Sequence, residues 1–285
     1  MALYALDSEG LISASDAPGR GNYRCLECNG PLQHRQGRRR PHFYHVKATP
    51  SCRLYSKSED HLLLQLQIQN LFPTGTVTLE KPFLSIGRIA DVCCDQYKLI
   101  FEIQCSLISE TEVKSRIDDY GNVGYQIVWL LDDRLYNRKI LRPAELLARS
   151  SPCYFFRYQR ISFSPIYDQL EIIVDNRRPK KSAPFSVHLQ APKQMPPSLS
   201  TENWPKQIVD RSTLWPLYFQ GDLLHKALQS AHSRPLTITL QNWCFLEKVF
   251  PSQKKVPLWK SWLRNFFIYW GSRIVERLIQ LMDGD

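Results

Sequence analysis

The chain has 285 residues, 43% of them hydrophobic, and a formal net charge of +10. This length allows one substantial core with smaller modules, so we expect two or three domains. The N-terminus lacks the basic start and apolar run of a signal peptide, and no stretch approaches the length of a membrane span. The eight cysteines then fit thiols and metal ligands better than a disulfide framework, and we expect a cytoplasmic protein.

Charge is unevenly distributed along the chain. Residues 20–57 carry nine Lys or Arg against one acid, residues 58–150 ten against thirteen, and residues 151–285 eighteen against ten. Basic flanks attract phosphate and an acidic centre gathers carboxylates for a cation, which is the combination that a metal-dependent nuclease needs. The alternative is an ordinary solubilising surface, which the run Arg38-Arg39-Arg40 disfavours. We predict that these three arginines contact DNA.

The N-terminal segment carries a metal-binding pattern. Cys25-x-x-Cys28 has zinc-knuckle spacing, and with His42, His45 and Cys52 there are five candidate ligands for the four places of a tetrahedral site. A strand through residues 42–45 turns the two histidines to opposite faces, and His45 lies nearer Cys52. We therefore predict a structural zinc held by Cys25, Cys28, His45 and Cys52, with His42 as the alternate ligand. Unrelated free cysteines are the alternative.

A helix is predicted to follow Ser58, which is a suitable N-cap, with Glu59 favouring the positive end of the helix dipole.

Two apolar strands come next, through Arg88–Val92 and Phe101–Cys105, and each contains an acid. A buried acid costs free energy unless something pairs with it, so carboxylates aimed together from adjacent strands indicate a bound cation. Side chains alternate along a strand, so Glu102 and Gln104 point the same way.

The short segment Asp95-Gln96-Tyr97 predicts a hairpin turn between these strands. A turn centred there places Asp91 opposite Ile100 or Phe101 and diagonal to Glu102. Mg²⁺ or Mn²⁺ accepts such hard oxygen ligands, and the ion would polarise a phosphodiester and activate a water. A strand pair with one solvated polar face is the alternative.

A second helix is predicted from Ser109, with Glu112 completing a capping box. Glu112, Arg116 and Tyr120 follow at intervals of four and share one face, which also allows an i,i+4 ion pair between Glu112 and Arg116. Residues 125–131 are rich in branched and aromatic types and predict a strand that is buried on both faces.

The C-terminal part shows weaker signals. Residues 170–174 predict a strand, residues 177–181 a basic loop suited to phosphate, and residues 191–205 a linker rich in proline and serine. Residues 258–282 repeat apolar and aromatic side chains at helical spacing, which is typical of a core or oligomer contact. A membrane-surface role for this terminal helix is the alternative.

Several separated motifs resemble the CoiA competence-protein family in content and order. They are Cys25-Leu26-Glu27-Cys28, Arg40-Pro41-His42-Phe43-Tyr44-His45, Cys52, Ser58-Glu59-Asp60-His61-Leu62, Ala90-Asp91 and Glu102-Ile103-Gln104-Cys105-Ser106. The resemblance covers roughly residues 20–160. It implies a PD-(D/E)XK restriction-endonuclease-like core of the α+β or α/β class, in which a helix precedes a three-stranded meander and a second helix leads to a further strand.

The resemblance also implies roles for individual residues. Asp91 and Glu102 would be the metal ligands, and Gln104 would stand where many members of the wider superfamily have lysine. Glu59 would be an additional carboxylate, and His61 a base or a phosphate contact.

Two further residues stand out in this comparison. Gln65 occupies a helix position where relatives often have lysine, and Arg116 would reach the DNA backbone.

We therefore expect a zinc-finger-like module at 1–57, a nuclease-like domain at 58–150 and a basic, partly helical region at 151–285. The function that follows is a metal-dependent DNA nuclease or DNA-processing protein of natural transformation or homologous recombination. Its expected partners are DNA, either single- or double-stranded, and recombination proteins. The same fold with a weakened site, which binds DNA as a recombination accessory, is the alternative, because Gln65 and Gln104 each replace a charged group. A zinc-dependent regulator that prefers one duplex sequence is a third interpretation.

Overall fold

A computed structural model of the protein describes residues 2–36, 41–47, 52, 54–55, 57–159, 164–196, 204–230 and 232–249. Arg38, Arg39 and Arg40 and the predicted terminal helix at 258–282 lie outside these ranges. The chain divides into a first unit, Met1–Leu135 with Ser151–Pro165, and a second unit, Tyr136–Ser150 with Ile166–Asp285.

The first unit begins with an antiparallel sheet in which the five strands have the order β2-β1-β3-β4-β5. The strands are β1 (Tyr4–Leu6), β2 (Leu11–Ser13), β3 (Tyr23–Arg24), β4 (Pro31–Arg35) and β5 (His42–His45). The core beneath this sheet is small: Phe43 and Tyr23 are its large side chains, and alanines and cysteines fill much of the rest. A core of this size gives limited hydrophobic stabilisation, which agrees with a module that needs a metal ion.

The remainder of the first unit is a mixed sheet with two helices. Its elements are α1 (Glu59–Gln69), β6 (Thr78–Phe83), β7 (Arg88–Cys94), β8 (Leu99–Gln104), α2 (Glu110–Asn122), β9 (Gln126–Asp132) and β10 (Cys153–Phe156). Strands β6, β7 and β8 form an antiparallel meander, β9 lies parallel to β8, and β10 lies parallel to β9. Helix, meander, helix and strand thus follow one another in the expected order.

Burial explains the composition of the central strands. Every residue of β8 is buried, as are the last six residues of β9, and apart from Glu102, Gln104 and Asp132 these residues are apolar. A strand with both faces covered has this pattern, so the prediction of a doubly buried strand after α2 is confirmed.

Both helices begin at the predicted serine caps. The hydroxyl oxygen of Ser58 accepts a hydrogen bond from the backbone N–H of His61 at 3.2 Å, and that of Ser109 from Glu112 at 3.1 Å. The capping box at Ser109 is only half formed, because the carboxylate of Glu112 binds Arg88 and Arg116.

The predicted register of the β7–β8 hairpin was wrong by one or two residues. Val92 pairs with Phe101 and Cys93 with Ile100, so Asp91 and Glu102 each adjoin the pair Val92–Phe101. The turn is longer than expected: a 3₁₀ segment at Asp95–Tyr97 is followed by Lys98 in the left-handed conformation (φ 52°). The additional turn residue shifts the pairing and places the two acids on the same face of neighbouring strands.

The second unit contains the remaining elements. They are α3 (Pro143–Ala148), β11 (Ile166–Asp168), β12 (Glu171–Val174), β13 (Arg177–Lys181), β14 (Phe185–Ser186), β15 (His188–Gln194), α4 (Lys206–Leu214), β16 (Leu217–Gln220), α5 (Leu223–Ser230) and α6 (Arg234–Val249). Strands β12 and β13, β11 and β14, and β15 and β16 form antiparallel pairs. Leu224, Ile208 and Trp243 lie in the core that α4, α5 and α6 share with β12.

Two expectations for this region are corrected. Residues 177–181 form strand β13 and not a loop, and Arg178 is 5% exposed with ion pairs to Glu145 and Glu171, so it is not available to phosphate. Residues 191–194, at the start of the predicted linker, belong to β15. In the part of the chain that the structure describes, no helix combines the length and apolar character required for a bilayer crossing.

Candidate functional site

Cys25, Cys28, His45 and Cys52 bring four ligand atoms together, all within 4.8 Å of one another. The Sγ atoms of Cys25 and Cys52 are 3.6 Å apart, and Cys28 Sγ lies 3.3 Å from His45 Nε2. Tetrahedral zinc with bonds of about 2.3 Å to sulfur holds two sulfurs about 3.8 Å apart. The donor set and its spacing therefore fit a metal ion such as zinc.

The backbone around Cys25 is shaped as a knuckle. Asn29 N donates to Cys25 O at 3.0 Å, Cys25 N donates to Gly30 O at 2.9 Å, and Asn29 has a left-handed φ of 54°. The N–H of Glu27 points at Cys25 Sγ at 3.4 Å, which stabilises negative charge on that sulfur. A Cβ on Gly30 would lie 3.2 Å from Cys28 Sγ, so the fold brings backbone close to a ligand there.

Burial controls protonation in this cluster. It raises the pKa of Cys25 and of Cys52, and it lowers the pKa of His45. The imidazole is thus neutral and able to donate its Nε2 lone pair, whereas the thiols hold their protons until a metal displaces them. His42 is 7% exposed on β5 but is not a member of the group, in agreement with the alternation of the strand.

Asp91 lies in the middle of the meander and is 5% exposed. Its Oδ1 accepts from Lys57 Nζ at 2.8 Å and contacts His61 Nε2 at 3.0 Å, and its Oδ2 accepts from the backbone N–H of Ile103 at 2.9 Å. Burial pushes the pKa of Asp91 upward, but the charges of His61 and Lys57 outweigh it and hold this pKa below its usual range. Asp91 is therefore ionised.

Glu102 is 1% exposed and accepts from two residues of α2: the guanidinium of Arg116 and, at 3.0 Å, the hydroxyl of Tyr120. Burial raises the pKa of Glu102 to about 7, against the opposing charge of Arg116, and the negative charge of Asp91 raises it further. The two acids thus interact electrostatically. Near neutral pH Asp91 is ionised, whereas Glu102 is partly protonated.

The two glutamines both have structural partners. Gln104 donates its amide to the carbonyl and hydroxyl oxygens of Ser106, at 2.8 and 3.1 Å. Gln65 is fully buried on α1 and donates to the backbone oxygen of Asp91 at 2.8 Å, so it joins the helix to β7.

The remaining candidates lie on the two helices. Glu59 begins α1 and is partly exposed, and His61 is buried against Asp91 two residues later. Arg116 binds Glu112, which confirms the i,i+4 pair, and also binds Glu102. A DNA contact from Arg116 stays a prediction.

Sequence reasoning missed Lys57 and Glu80. Lys57 Nζ is 3.3 Å from Glu80 Oε1 as well as 2.8 Å from Asp91. Glu80 is 1% exposed on β6, and the pairs Leu79–Val92 and Lys81–Ala90 on either side of it place it across from Asp91. The missed signal was the position of Lys57 directly before the cap of α1.

Comparison with known proteins identifies the domain that holds these residues. Residues 57–165 match the family described as competence protein CoiA, nuclease-like domain. Neither the curated proteins nor the solved structures gave a match. The resemblance drawn from the motifs is therefore confirmed for residues 57–165, which are similar to the CoiA nuclease-like domain.

Proposed function

We propose that the protein is a divalent-metal-dependent deoxyribonuclease with a PD-(D/E)XK core, which processes DNA in natural transformation or homologous recombination. Asp91 and Glu102 would hold Mg²⁺ or Mn²⁺. The zinc module and the basic flanks, with Arg38, Arg39 and Arg40, would bind DNA. The order of helix, meander, helix and strand supports this core, and the CoiA nuclease-like match supports the competence-related role.

The observation that carries the proposal is a cluster of three buried carboxyl groups on neighbouring strands of the meander. The pairing of β6 with β7 places Glu80 across from Asp91, and Asp91 and Glu102 each adjoin the pair Val92–Phe101 of β7 and β8, so the three acids form a row across the strands. Like charges directly across neighbouring strands are destabilising unless a cation lies between them.

The cations near this row do not fully neutralise it. Lys57 and Arg116 pair with its carboxylates, but Arg116 is shared with Glu112. Within the described part of the chain, Oε2 of Glu80 has no hydrogen-bond partner, and Glu102 tends to keep its proton. Hard oxygen donors with uncompensated charge fit a divalent cation.

A divalent ion bound there would supply Lewis-acid activation of a phosphodiester and of the attacking water. The protein's own groups would set up that chemistry. The N–H of Ile103 and the amide of Gln65 fix the side chain and backbone of Asp91, and Tyr120 fixes Glu102. Because ionised Asp91 can only accept a hydrogen bond, His61 would donate to it through Nε2, and the lone pair on Nδ1 would accept a proton.

Cleavage of a labelled single strand and of a labelled duplex tests the proposal. With Mg²⁺ or Mn²⁺ the wild type should cut, and Asp91→Asn should reduce the rate by ~100-fold or more while DNA binding persists. Asp95→Asn is the matched control, since Asp95 lies in the turn of the same hairpin, in an exposed ion pair with Lys81. This variant should cut at the wild-type rate. If the wild type leaves both substrates as intact as Asp91→Asn does, the proposed nuclease activity is refuted.

A second candidate is a catalytically weak DNA-binding accessory of recombination. It is favoured by the ion pairs of Lys57 with Asp91 and of Arg116 with Glu102, which a divalent ion must loosen, and by the amide of Gln104, which is bound to Ser106. This candidate predicts DNA binding without cleavage in the same assay.

A further inference from the structure

The residue two positions after Glu102 provides no positive charge to the candidate site. Gln104 is neutral, and its amide is used locally by Ser106. Phosphodiester hydrolysis concentrates negative charge on the phosphate oxygens as the water oxygen bonds to phosphorus and the bond to the leaving sugar oxygen breaks with its electron pair. A positioned positive charge lowers that barrier strongly.

Lys57 brings a positive charge to the site from a different part of the chain. Its side chain is 9% exposed, its Nζ lies 2.8 Å from Asp91 Oδ1, and its charge also acts on Glu102. With carboxylate oxygens of Asp91 and Glu80 at 2.8 and 3.3 Å from its Nζ, the ammonium lies between two of the three acids.

Glu80 holds this ammonium from the other side. It lies across from Asp91 on β6, and its φ of 50° is a left-handed conformation that a glutamate rarely adopts in a strand. Such strain persists only where the surroundings over-determine it, and it is concentrated at functional sites. One Glu80 oxygen binds Lys57 at 3.3 Å, while the other has no hydrogen-bond partner among the described residues. Strain together with an unsatisfied buried oxygen is therefore consistent with a positioning role for Glu80.

We propose that Lys57 supplies the positive charge to the scissile phosphate that Gln104 cannot supply, and that Glu80 is the positioning residue that keeps its ammonium beside Asp91. This inference rests on the proposed nuclease function. When the phosphodiester is cut, the ammonium would offset charge on a phosphate oxygen, and the proton of the attacking water would end on the leaving sugar oxygen or in solvent.

The test measures cleavage and Mn²⁺ affinity in the same zinc-loaded full-length variants. Lys57→Met keeps the length of the side chain but removes its charge, so cleavage should fall ~100-fold. Mn²⁺ should bind about threefold more tightly, because the cation that competes for Asp91 is gone. Loss of both cleavage and Mn²⁺ binding would indicate a merely structural lysine and overturn the inference. Cleavage by Lys57→Met within about threefold of wild type would overturn it too.

Two more variants keep the test decisive if Lys57→Met does not fold. Lys57→Arg preserves the charge and should cleave within about tenfold of wild type. Glu80→Gln should lower kcat about tenfold with little change in KM. An unchanged kcat in Glu80→Gln would overturn the positioning role, and a Lys57→Arg variant that folds and binds Mn²⁺ but does not cleave would overturn the charge role.

Lys81→Met is the matched control, because Lys81 forms a lysine–carboxylate pair with Asp95 at the exposed end of the hairpin. It should match wild type in both assays. An inactive wild type would remove the nuclease proposal and this inference together. An active wild type that Asp91→Asn inactivates and Lys57→Met does not would remove this inference alone.

Discussion

Glu102 is in an environment that penalises its charge. It is 1% exposed, and burial raises its pKa from 4.5 to about 7 although Arg116 and Tyr120 both bind it. The carboxyl group is therefore close to half-protonated at neutral pH. A divalent cation that binds there must displace this proton, so metal affinity should increase as pH rises through 7.

The stability of the metal-free protein should depend on pH through the same residue. Between pH 4.5 and about 7, folded Glu102 keeps a proton that the unfolded chain has lost. Relative to Glu102→Gln, the free energy of unfolding of the wild type should consequently fall as pH rises across this window, by up to about 3 kcal/mol, and level off above it. The lowered pKa values of His61 and His45 act in the opposite direction in both proteins. Urea unfolding of both proteins at pH 5, 6, 7 and 8 measures this difference, and an identical pH dependence in the variant and the wild type would contradict the assignment.

Single residues were predictable from sequence where strand alternation was sufficient. Asp91 and Glu102 follow from the period of two along their own strands. Glu80 and Lys57 do not, because their convergence on Asp91 depends on the pairing of β6 with β7 and on the entry of the chain into α1. Those are long-range contacts, and in the sequence Lys57 resembles any surface lysine beside a helix cap.

Helix caps are local features, and the structure places both where the sequence predicts. The hydroxyl oxygen of Ser109 caps α2 by accepting a hydrogen bond from the N–H of Glu112, and it also bonds the hydroxyl of Thr111. Ser109→Ala should therefore lower the free energy of unfolding by about 1 kcal/mol. Lys114→Ala, at an exposed position of the same helix, is the control and should change stability by less than about 0.5 kcal/mol. Chemical denaturation compares the two, and equal stabilities would show that the cap contributes nothing.

The knuckle around Cys25 gives a prediction for the N-terminal module. Gly30→Ala would place a Cβ 3.2 Å from Cys28 Sγ, and a sulfur fixed by a metal cannot move aside easily. Zinc affinity should fall about tenfold, as expected when the support of a ligand is disturbed. Gly19→Ala, where a Cβ meets nothing within 4 Å, is the matched control. Competition with a chromogenic chelator measures both, and equal affinities would argue against zinc on Cys28.

Elements whose pairing is non-local were harder to predict. The basic residues of β13 have the composition of a loop, and they form a strand because β12 pairs with them across a two-residue turn at Asp175 and Asn176, both left-handed. The buried pairs of Arg178 with Glu145 and Glu171 complete that arrangement. Charge alone therefore overstated how much of the C-terminal region is free to bind phosphate.

At the scale of the whole molecule, charge is separated along the chain. Residues 20–57 carry an excess of eight positive charges, whereas residues 58–150 have three more acids than bases. A basic N-terminal module next to an acidic site would capture the DNA backbone without crowding the carboxylates with lysines. If that is how DNA binds, affinity should be nearly independent of base sequence and steeply dependent on salt.

The run Arg38-Arg39-Arg40 allows this to be measured. Each phosphate contact contributes about 0.7 to 0.9 to the slope of log affinity against log salt concentration, so replacing all three arginines by alanine should reduce the slope by about 2 to 3. Replacing them by lysine keeps the charge and should leave the slope unchanged. Fluorescence anisotropy of a labelled strand over a salt series gives the slopes. An unaltered slope in the alanine variant would place the DNA contacts elsewhere. A slope that falls equally in the lysine variant would mean that guanidinium geometry, and not charge, makes the contact.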